Sequence, residues 1–293
     1  MSVPADTAVG SSKAGRRWRK YKAKLARRWK LLRFALANRV SRRSVVASGG
    51  PVVSLTSYST RLKSVHITLE SIAAGDVLPS RLILWVDELA VYENLPLALR
   101  RLQVRGLEVK HCVNYGPHKK YFPFVQGEPL DKPLVTADDD VFYPRTWLAG
   151  LQQAYRATPE HIVCYKAKRL GFAADGITSY TGWATQLGPQ ASFQNFAIGV
   201  SGVLYPPAFL QVLKDEGDAF VAVSPKADDI WLHVHALRSG FKVRQLSAED
   251  AYFPSLPGTQ DIALYNENMK LGGNDQVIAR LYTAADIEKM LKD

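Results

Sequence analysis

Cysteine is scarce in this sequence, with only Cys112 and Cys164 among 293 residues. Both lie in apolar, strand-like stretches, LEVKHC and HIVCYKA, which favours reduced, core-packed thiols over a disulfide or a zinc site. No apolar run approaches the roughly 18 to 20 residues that a membrane-spanning helix needs. The basic N-terminus is not followed by the apolar segment and cleavage site of a signal peptide. We therefore expect a cytoplasmic protein that neither spans the membrane nor is secreted.

Acidic residues are nearly absent from the first fifty positions. This segment has fourteen Lys and Arg but only Asp6 as an acid, a formal charge of +13, whereas the whole chain carries +11. Residues 51–293 therefore carry 11 − 13 = −2. The domain is close to neutral and shows no nucleic-acid recognition motif, so we expect no nucleic-acid partner.

The basic segment has an apolar stripe with residues three and four positions apart. This spacing predicts an amphipathic helix that lies on an anionic membrane surface, with the protein peripheral on the inner face of the cell membrane. A solvated tail or a helix docked on the domain is the alternative. The turn-rich SGGP at 48–51 separates this N-terminal segment, residues 1–50, from a domain of residues 51–293. The stripe consists of Trp18, Tyr21, Leu25, Trp29, Leu32 and Leu36.

Beyond Pro51, short β-branched runs alternate with helical stretches. This alternation predicts βαβ units and an α/β fold with a mostly parallel central sheet flanked by helices. Ligands bind beyond the carboxyl ends of such strands, where Ser57, Tyr58, Asp87, Glu88 and the run Asp138–Asp140 are expected to meet. The predicted strands are VVSLTSY, RLILWVDE, LEVKHC, KPLVTADD, HIVCYKA, FAIGVSGVLYP and FKVRQL.

Three consecutive carboxylates end one predicted strand, in TADDDVFYP. They repel one another unless a cation binds, and Mg²⁺ or Mn²⁺ takes such oxygen ligands together with water and substrate phosphates. Capping of a helix that opens at Pro144 is the alternative role, but it would explain only one of the three. The pattern predicts a divalent-metal site that receives a diphosphate.

These motifs resemble those of GT-A-type (Rossmann-like) glycosyltransferases, specifically family 2-like bacterial enzymes that build capsule, exopolysaccharide or lipopolysaccharide. The resemblance covers roughly residues 51–280. It implies that Asp138 approaches the ribose, that Asp138 and Asp140 hold Mn²⁺ or Mg²⁺, and that Asp139 lies between them in the nucleotide-sugar site. The motifs are VVSLTSYSTR, LILWVDE, GPHKKYFP, TADDDVFYP, SPKADDIWL and GGNDQ.

Cationic side chains near the carboxylates are candidates for holding the diphosphate. Lys119 and Lys120 precede the metal strand, and Arg61 follows the first strand. Positive charge there would stabilise the leaving group. Alternatively, both lysines are solvated and Arg61 pairs with Glu70 or another nearby acid.

The ends of the first two strands are candidates for binding the nucleotide base. By resemblance, Asp87 and Glu88 would hydrogen-bond the base, expected to be uracil, and Ser57 and Tyr58 would line the same pocket. An ordinary polar strand end is the alternative.

A second acidic pair, Asp228 and Asp229, begins the predicted helix of SPKADDIWLHVHAL. In inverting GT-A enzymes a carboxylate at such a position is the general base, and Asp229 is the preferred candidate. Helix capping, together with the favourable interaction of acids with the helix dipole, is the alternative role.

Together these features predict a metal-dependent hexosyl- or N-acetylhexosaminyltransferase. It would move sugar from a nucleotide-diphosphate sugar, expected to be a UDP-sugar, to a glycan or lipid-linked acceptor in cell-surface polysaccharide synthesis, with inversion. A retaining transferase, a nucleotidyltransferase, or a non-catalytic glycosyltransferase-like subunit of an assembly complex are the alternatives.

Overall fold

The computed structural model describes residues 13–174, 176–248, 251, 253–259 and 273–293. The strands are β1 (Val52–Thr56), β2 (Arg81–Val86), β3 (Leu107–His111), β4 (Leu134–Ala137), β5 (Ile162–Cys164), β6 (Ala167–Arg169), β7 (Phe172–Ala173), β8 (Gly176–Ile177), β9 (Ala184–Thr185), β10 (Asn195–Ala197), β11 (Val203–Tyr205) and β12 (Val243–Gln245). The helices are α1 (Lys13–Val40), α2 (Val65–Ala73), α3 (Leu89–Glu93), α4 (Leu97–Gln103), α5 (Phe122–Gly127), α6 (Trp147–Ala157), α7 (Pro207–Glu216), α8 (Phe220–Val223), α9 (Asp228–Arg238), α10 (Gly273–Leu281) and α11 (Ala284–Leu291).

Seven strands form the central sheet, in the order β12-β5-β11-β4-β1-β2-β3. All neighbours in it are parallel except at β11, which runs antiparallel to both β4 and β5. A small antiparallel sheet, β10-β6-β9, and the hairpin β7-β8 accompany it. The predicted α/β fold with a mostly parallel central sheet flanked by helices is confirmed.

The two faces of the central sheet bury separate apolar clusters because side chains alternate along each strand. In β2, Ile83 and Trp85 face α5, α7 and α9, whereas Leu82, Leu84 and Val86 face α2, α4 and α6. Both faces are thus covered, as expected for parallel strands with near-continuous apolar sequences. This core fixes the carboxyl ends of β1, β2 and β4 side by side.

Two of the predicted strands are each divided. HIVCYKA forms β5 and β6, and FAIGVSGVLYP forms β10 and β11, which belong to different sheets. A 3₁₀ turn, Gly199–Ser201, separates β10 from β11, followed by Gly202 at φ 92°. A Cβ at Gly202 would lie 2.7 Å from the Trp147 ring, so the chain can turn this closely only with glycine there.

The α1 helix packs on the domain through its C-terminal half. Phe34 joins Ile67, Phe142 and Leu256 in a small apolar cluster, and the Asn38 amide donates to Glu70 and to the Ala98 carbonyl. No helix in the described ranges is long and apolar enough to cross a membrane.

Candidate active site

A cavity of about 670 Å³ opens at the carboxyl ends of β1, β2 and β4. This volume lies in the range of small-molecule sites. It brings together all the predicted site residues except Ser57, which is fully buried behind it, and Glu88, which is exposed and accepts a hydrogen bond from the Ser59 amide. The predicted residues that line it are Tyr58, Arg61, Asp87, Lys119, Lys120, Asp138, Asp139, Asp140, Asp228 and Asp229.

Asp139 is the structural member of the three-carboxylate run. Its Oδ2 accepts a hydrogen bond from the Ser57 hydroxyl at 2.6 Å, and its Oδ1 pairs with Arg61 at 2.7 Å. Arg61 also lies 3.2 Å from Asp140 and donates to the Thr259 carbonyl at 2.7 Å. Although burial acts to lower the pKa of Arg61, the two carboxylates raise it. Asp139 therefore anchors Arg61 in the cavity wall, and each of its carboxylate oxygens already has a protein partner.

Of the alternative roles for these residues, an ion pair of Arg61 with a nearby acid is confirmed, whereas helix capping is wrong. The acids that Arg61 binds are Asp139 and Asp140 and not Glu70, which binds Arg105 at 2.5 Å and 3.1 Å. The α6 helix begins at Trp147, beyond the predicted start at Pro144, and no side chain caps it. The aspartates are therefore held by tertiary ion pairs.

Asp138 faces the cavity at the end of β4. Its Oδ1 pairs with the Lys120 ammonium at 2.5 Å, and its backbone amide donates to the buried Tyr143 hydroxyl at 2.9 Å. Burial acts to lower the pKa of Lys120, but Asp138, Asp228 and Asp229 raise it, so the ammonium stays charged. Lys120 thus lies in the field of both acidic groups, and because Lys119 is also buried, the alternative that both lysines are solvated is wrong.

Asp138 and Asp140 form the part of the run that suits a hard cation. Burial and the charge of Asp138 raise the pKa of Asp140, so added positive charge would stabilise this pair. Within the described ranges no three His, Cys, Asp or Glu side chains are grouped to hold a metal. Two carboxylates nevertheless fit Mg²⁺ or Mn²⁺, which usually take water and substrate phosphates as further ligands.

Asp87, at the end of β2, has one oxygen without a partner. Its Oδ2 pairs with the buried Lys119 ammonium at 2.7 Å. Its Oδ1 is buried and has no hydrogen-bond partner among the described residues. A buried carboxylate oxygen without a donor is costly, so a ligand N–H or O–H would stabilise it.

Asp229 lies in the first turn of α9 and is half-buried in the cavity wall. Its carboxylate accepts a hydrogen bond from the Gly199 amide at 3.3 Å. Burial, followed by the charge of Asp228, raises the pKa of Asp229 to about 8. The helix has Ala227 at its N-cap and no side-chain cap, so neither acid caps it, but both lie in its first turn, where negative charge is favourable to the helix dipole. Asp229 is a carboxylate that gains and loses a proton near neutral pH.

His118 links the lysine segment to the loop before Asp228, and sequence reasoning missed it. The ring is buried and stacks on Phe220 at 3.9 Å. Its Nε2 lies 2.7 Å from the Ser224 carbonyl, which can only accept, so Nε2 carries the proton and Nδ1 accepts from the Tyr121 hydroxyl at 2.9 Å. Burial lowers the pKa of His118, in keeping with this neutral form. The only sequence signal was its position in GPHKKYFP.

Two further lysines that sequence reasoning missed, Lys166 and Lys168, line the cavity near Gly199 and Tyr180. Lys168 donates to the Tyr180 carbonyl at 3.0 Å and lies over the Tyr180 ring. Burial and the charge of Lys166 lower its pKa. With Lys226, the described lining has six cationic side chains and six carboxylates, a formal charge of 6 − 6 = 0.

No protein-family model matches the chain, and no curated protein matches it. Two solved structures show a general similarity. Residues 1–349 of TarS from S. aureus are 17% identical, with a TM-score of 0.47, over 82% of this chain and 70% of that one. The 4-diphosphocytidyl-2C-methyl-D-erythritol synthase from Anaerococcus prevotii is 12% identical, with a TM-score of 0.46, over 75% of this chain and 95% of that one. Neither similarity is high enough to indicate a function.

Proposed function

We propose that this protein is a metal-dependent glycosyltransferase that moves a sugar from a UDP-sugar to a hydroxyl group of a glycan or lipid-linked acceptor, with inversion. The observation that supports it is a single cavity with two kinds of carboxylate. One kind, Asp138 and Asp140, suits a metal and diphosphate. The other, Asp229, has the raised pKa of a general base.

The nucleotide base would bind at the end of β2. The partnerless Oδ1 of Asp87 can accept the N3–H of uracil, while Lys119 holds the other oxygen of the carboxylate. The salt bridge fixes the orientation of the acceptor atom before the ligand arrives. An oriented acceptor of this kind gives specificity, because a base without a donor at that position would leave Oδ1 unsatisfied.

The diphosphate would bind between the metal carboxylates and the lysines. A divalent ion held by Asp138 and Asp140 would, when bound, offset the charge that develops on the leaving diphosphate. Lys120 can turn from Asp138 toward the phosphate oxygens and support the same charge. Because the lining is formally neutral, a doubly charged anion together with a divalent cation enters without creating net charge.

Asp229 would activate the acceptor. In its ionised form it takes the proton from the acceptor hydroxyl as that oxygen bonds to the anomeric carbon. The bond between the anomeric carbon and the phosphate oxygen breaks at the same time, and the diphosphate leaves with the electron pair. The Gly199 amide holds the carboxylate in position throughout.

A donor screen tests the proposal. Purified protein with Mn²⁺ is incubated with a panel of nucleotide sugars and glycan or lipid-linked acceptors, and the released nucleotide and the product anomer are measured. We expect UDP release that depends on acceptor, with inverted configuration. Retained configuration would favour the retaining alternative, and pyrophosphate release from a nucleoside triphosphate would favour nucleotidyl transfer. If no donor reacts or binds, the protein is a non-catalytic subunit.

A further inference from the structure

The α1 helix exposes an unbroken stripe of large apolar side chains. Trp18, Trp29, Leu32 and Leu36 are 59%, 64%, 70% and 59% exposed. At about 100° per residue, the stripe stays within roughly 50° of one direction along the whole helix. Such a surface marks an interaction site, because soluble proteins seldom expose a contiguous apolar patch of this extent. The complete stripe is Trp18, Tyr21, Leu25, Trp29, Leu32, Leu36 and Val40.

The opposite face of α1 is already occupied by the domain. Phe34, Asn38 and Arg27 point roughly 150° to 170° away from the stripe by the same helical geometry. They bind, respectively, the apolar cluster around Phe142, the Glu70 carboxylate and the Ser255 carbonyl. The domain therefore packs on the opposite face of α1 and does not cover the exposed stripe.

Positive charge flanks the stripe on both sides. Lys22 and Arg33 lie on one side and Arg28 and Arg39 on the other, and all four are exposed. The Lys22 ammonium lies 5.5 Å from the Trp18 ring centre and the Arg33 guanidinium 6.0 Å from that of Trp29. The helix Lys13–Val40 has twelve basic residues and no acid. Aromatic and aliphatic side chains between two basic rows match the acyl and headgroup layers of an anionic bilayer.

The docked face of α1 also touches the rim of the cavity. Arg27 binds the carbonyl of Ser255, which lines the cavity, and the next residue, Leu256, donates its amide to the Asp140 carbonyl at 2.6 Å. Phe34 stacks on Phe142, two residues beyond Asp140, with ring centres 6.2 Å apart. The helix is thus fixed to the segments that carry the candidate metal carboxylates.

We propose that the exposed face of α1 binds an anionic phospholipid surface and that its docked face holds the cavity rim beside that surface. A lipid-borne acceptor would then meet the cavity without leaving the bilayer. That consequence depends on the proposed transferase activity. The lipid contact itself does not, and it can be measured without any substrate.

Vesicle flotation tests the contact, with the full chain mixed with vesicles of phosphatidylcholine alone or with phosphatidylglycerol. We expect binding to the anionic vesicles that falls at high salt, and weak binding to the neutral ones. The triple variant Trp29→Ser/Leu32→Ser/Leu36→Ser should bind roughly tenfold more weakly or worse, since the stripe supplies the apolar contact. The charge variant Arg28→Gln/Arg33→Gln/Arg39→Gln should lose the preference for anionic lipid.

A matched control removes three exposed apolar side chains elsewhere. Val104→Ser/Leu187→Ser/Val221→Ser should float like the wild type and have the same melting temperature. Substitution is preferable to deletion of α1, because deletion would uncover Phe142 and Leu256 and remove the Asn38 partner of Glu70. The proposal would be overturned if the stripe variant floated as well as the wild type, or if the wild type bound neutral and anionic vesicles equally. It would also be overturned if the stripe formed a dimer and the protein did not bind vesicles.

Discussion

The half-buried Asp229 carboxylate gives the sharpest prediction about the chemistry. With a pKa of about 8, against an ordinary value of 3.8, roughly one molecule in ten has Asp229 ionised at pH 7. If Asp229 is the base, kcat should rise about tenfold per pH unit below 8 and level off above it. The Asp229→Asn variant should lose roughly 10²- to 10⁴-fold in kcat at the plateau. Donor binding should change little, because proton transfer occurs only on the way to the transition state.

The neighbour Asp228 supplies a second, independent readout. Its charge helps to raise the pKa of Asp229, so Asp228→Asn should move the midpoint of the pH–rate profile to lower pH. A lost helix cap would give no such shift and would instead cost about 1 kcal/mol of stability. The profile is measured from about pH 5.5 to 9.5, with thermal melting of each variant as the control for folding.

Stability should change with pH in a related way. Because the pKa of Asp229 is higher in the folded state, the folded protein binds the extra proton between about pH 4 and pH 8. The free energy of unfolding that Asp229 contributes should therefore fall with rising pH across this window and be constant above it. Asp229→Asn should lack this dependence. The assignment of Asp229 as the base would be refuted if Asp229→Asn had the wild-type kcat. It would also be refuted if the pH–rate profile of the wild type had its midpoint near pH 4.

Three further outcomes are expected. Asp140→Asn should lower turnover by orders of magnitude and weaken activation by Mn²⁺ without unfolding the protein. Full turnover of the wild-type protein in excess EDTA would contradict metal dependence. Asp87→Asn should raise the KM for a UDP-sugar about tenfold or more with little change in kcat, measured by initial rates; an unchanged KM would remove Asp87 from the base site. His118→Phe can keep the stacking on Phe220 but not the hydrogen bonds of the imidazole. This variant should have a lower kcat and a shifted midpoint of the pH–rate profile, with an unchanged affinity for UDP measured by calorimetry. A change in melting temperature alone would show that His118 is only structural.

The architecture could be predicted from sequence because its signals are local. Apolar β-branched runs such as VVSLT and RLILWV became β1 and β2 within one or two residues, and polar side chains followed each strand. Parallel strands then bring their carboxyl ends to one edge. This rule alone was sufficient to predict that Tyr58, Asp87 and Asp138 line one cavity.

Pairings between distant segments could not be predicted in this way. The choice of Asp139 over Glu70 as the partner of Arg61 depends on the packing of residues 78 positions apart. The division of FAIGVSGVLYP depends on the Trp147 ring, which leaves no room for a Cβ at residue 202. Lys166 and Lys168 gave no sequence signal, because an isolated lysine in a strand is as compatible with solvent as with a cavity.

The antiparallel strand β11 lies next to β4 and thereby sets the spacing between the two halves of the site. It pairs with β4 through Val203 and Thr136, so the turn that holds Asp229 and the strand end that carries Asp138 belong to adjacent strands of one sheet. Adjacent strands lie about 4.8 Å apart, a spacing set by backbone hydrogen bonds that no side-chain substitution alters. Substitutions in the loops around residues 178–194 should therefore leave the turn that contacts Asp229 and the strand end that carries Asp138 in the same relative position.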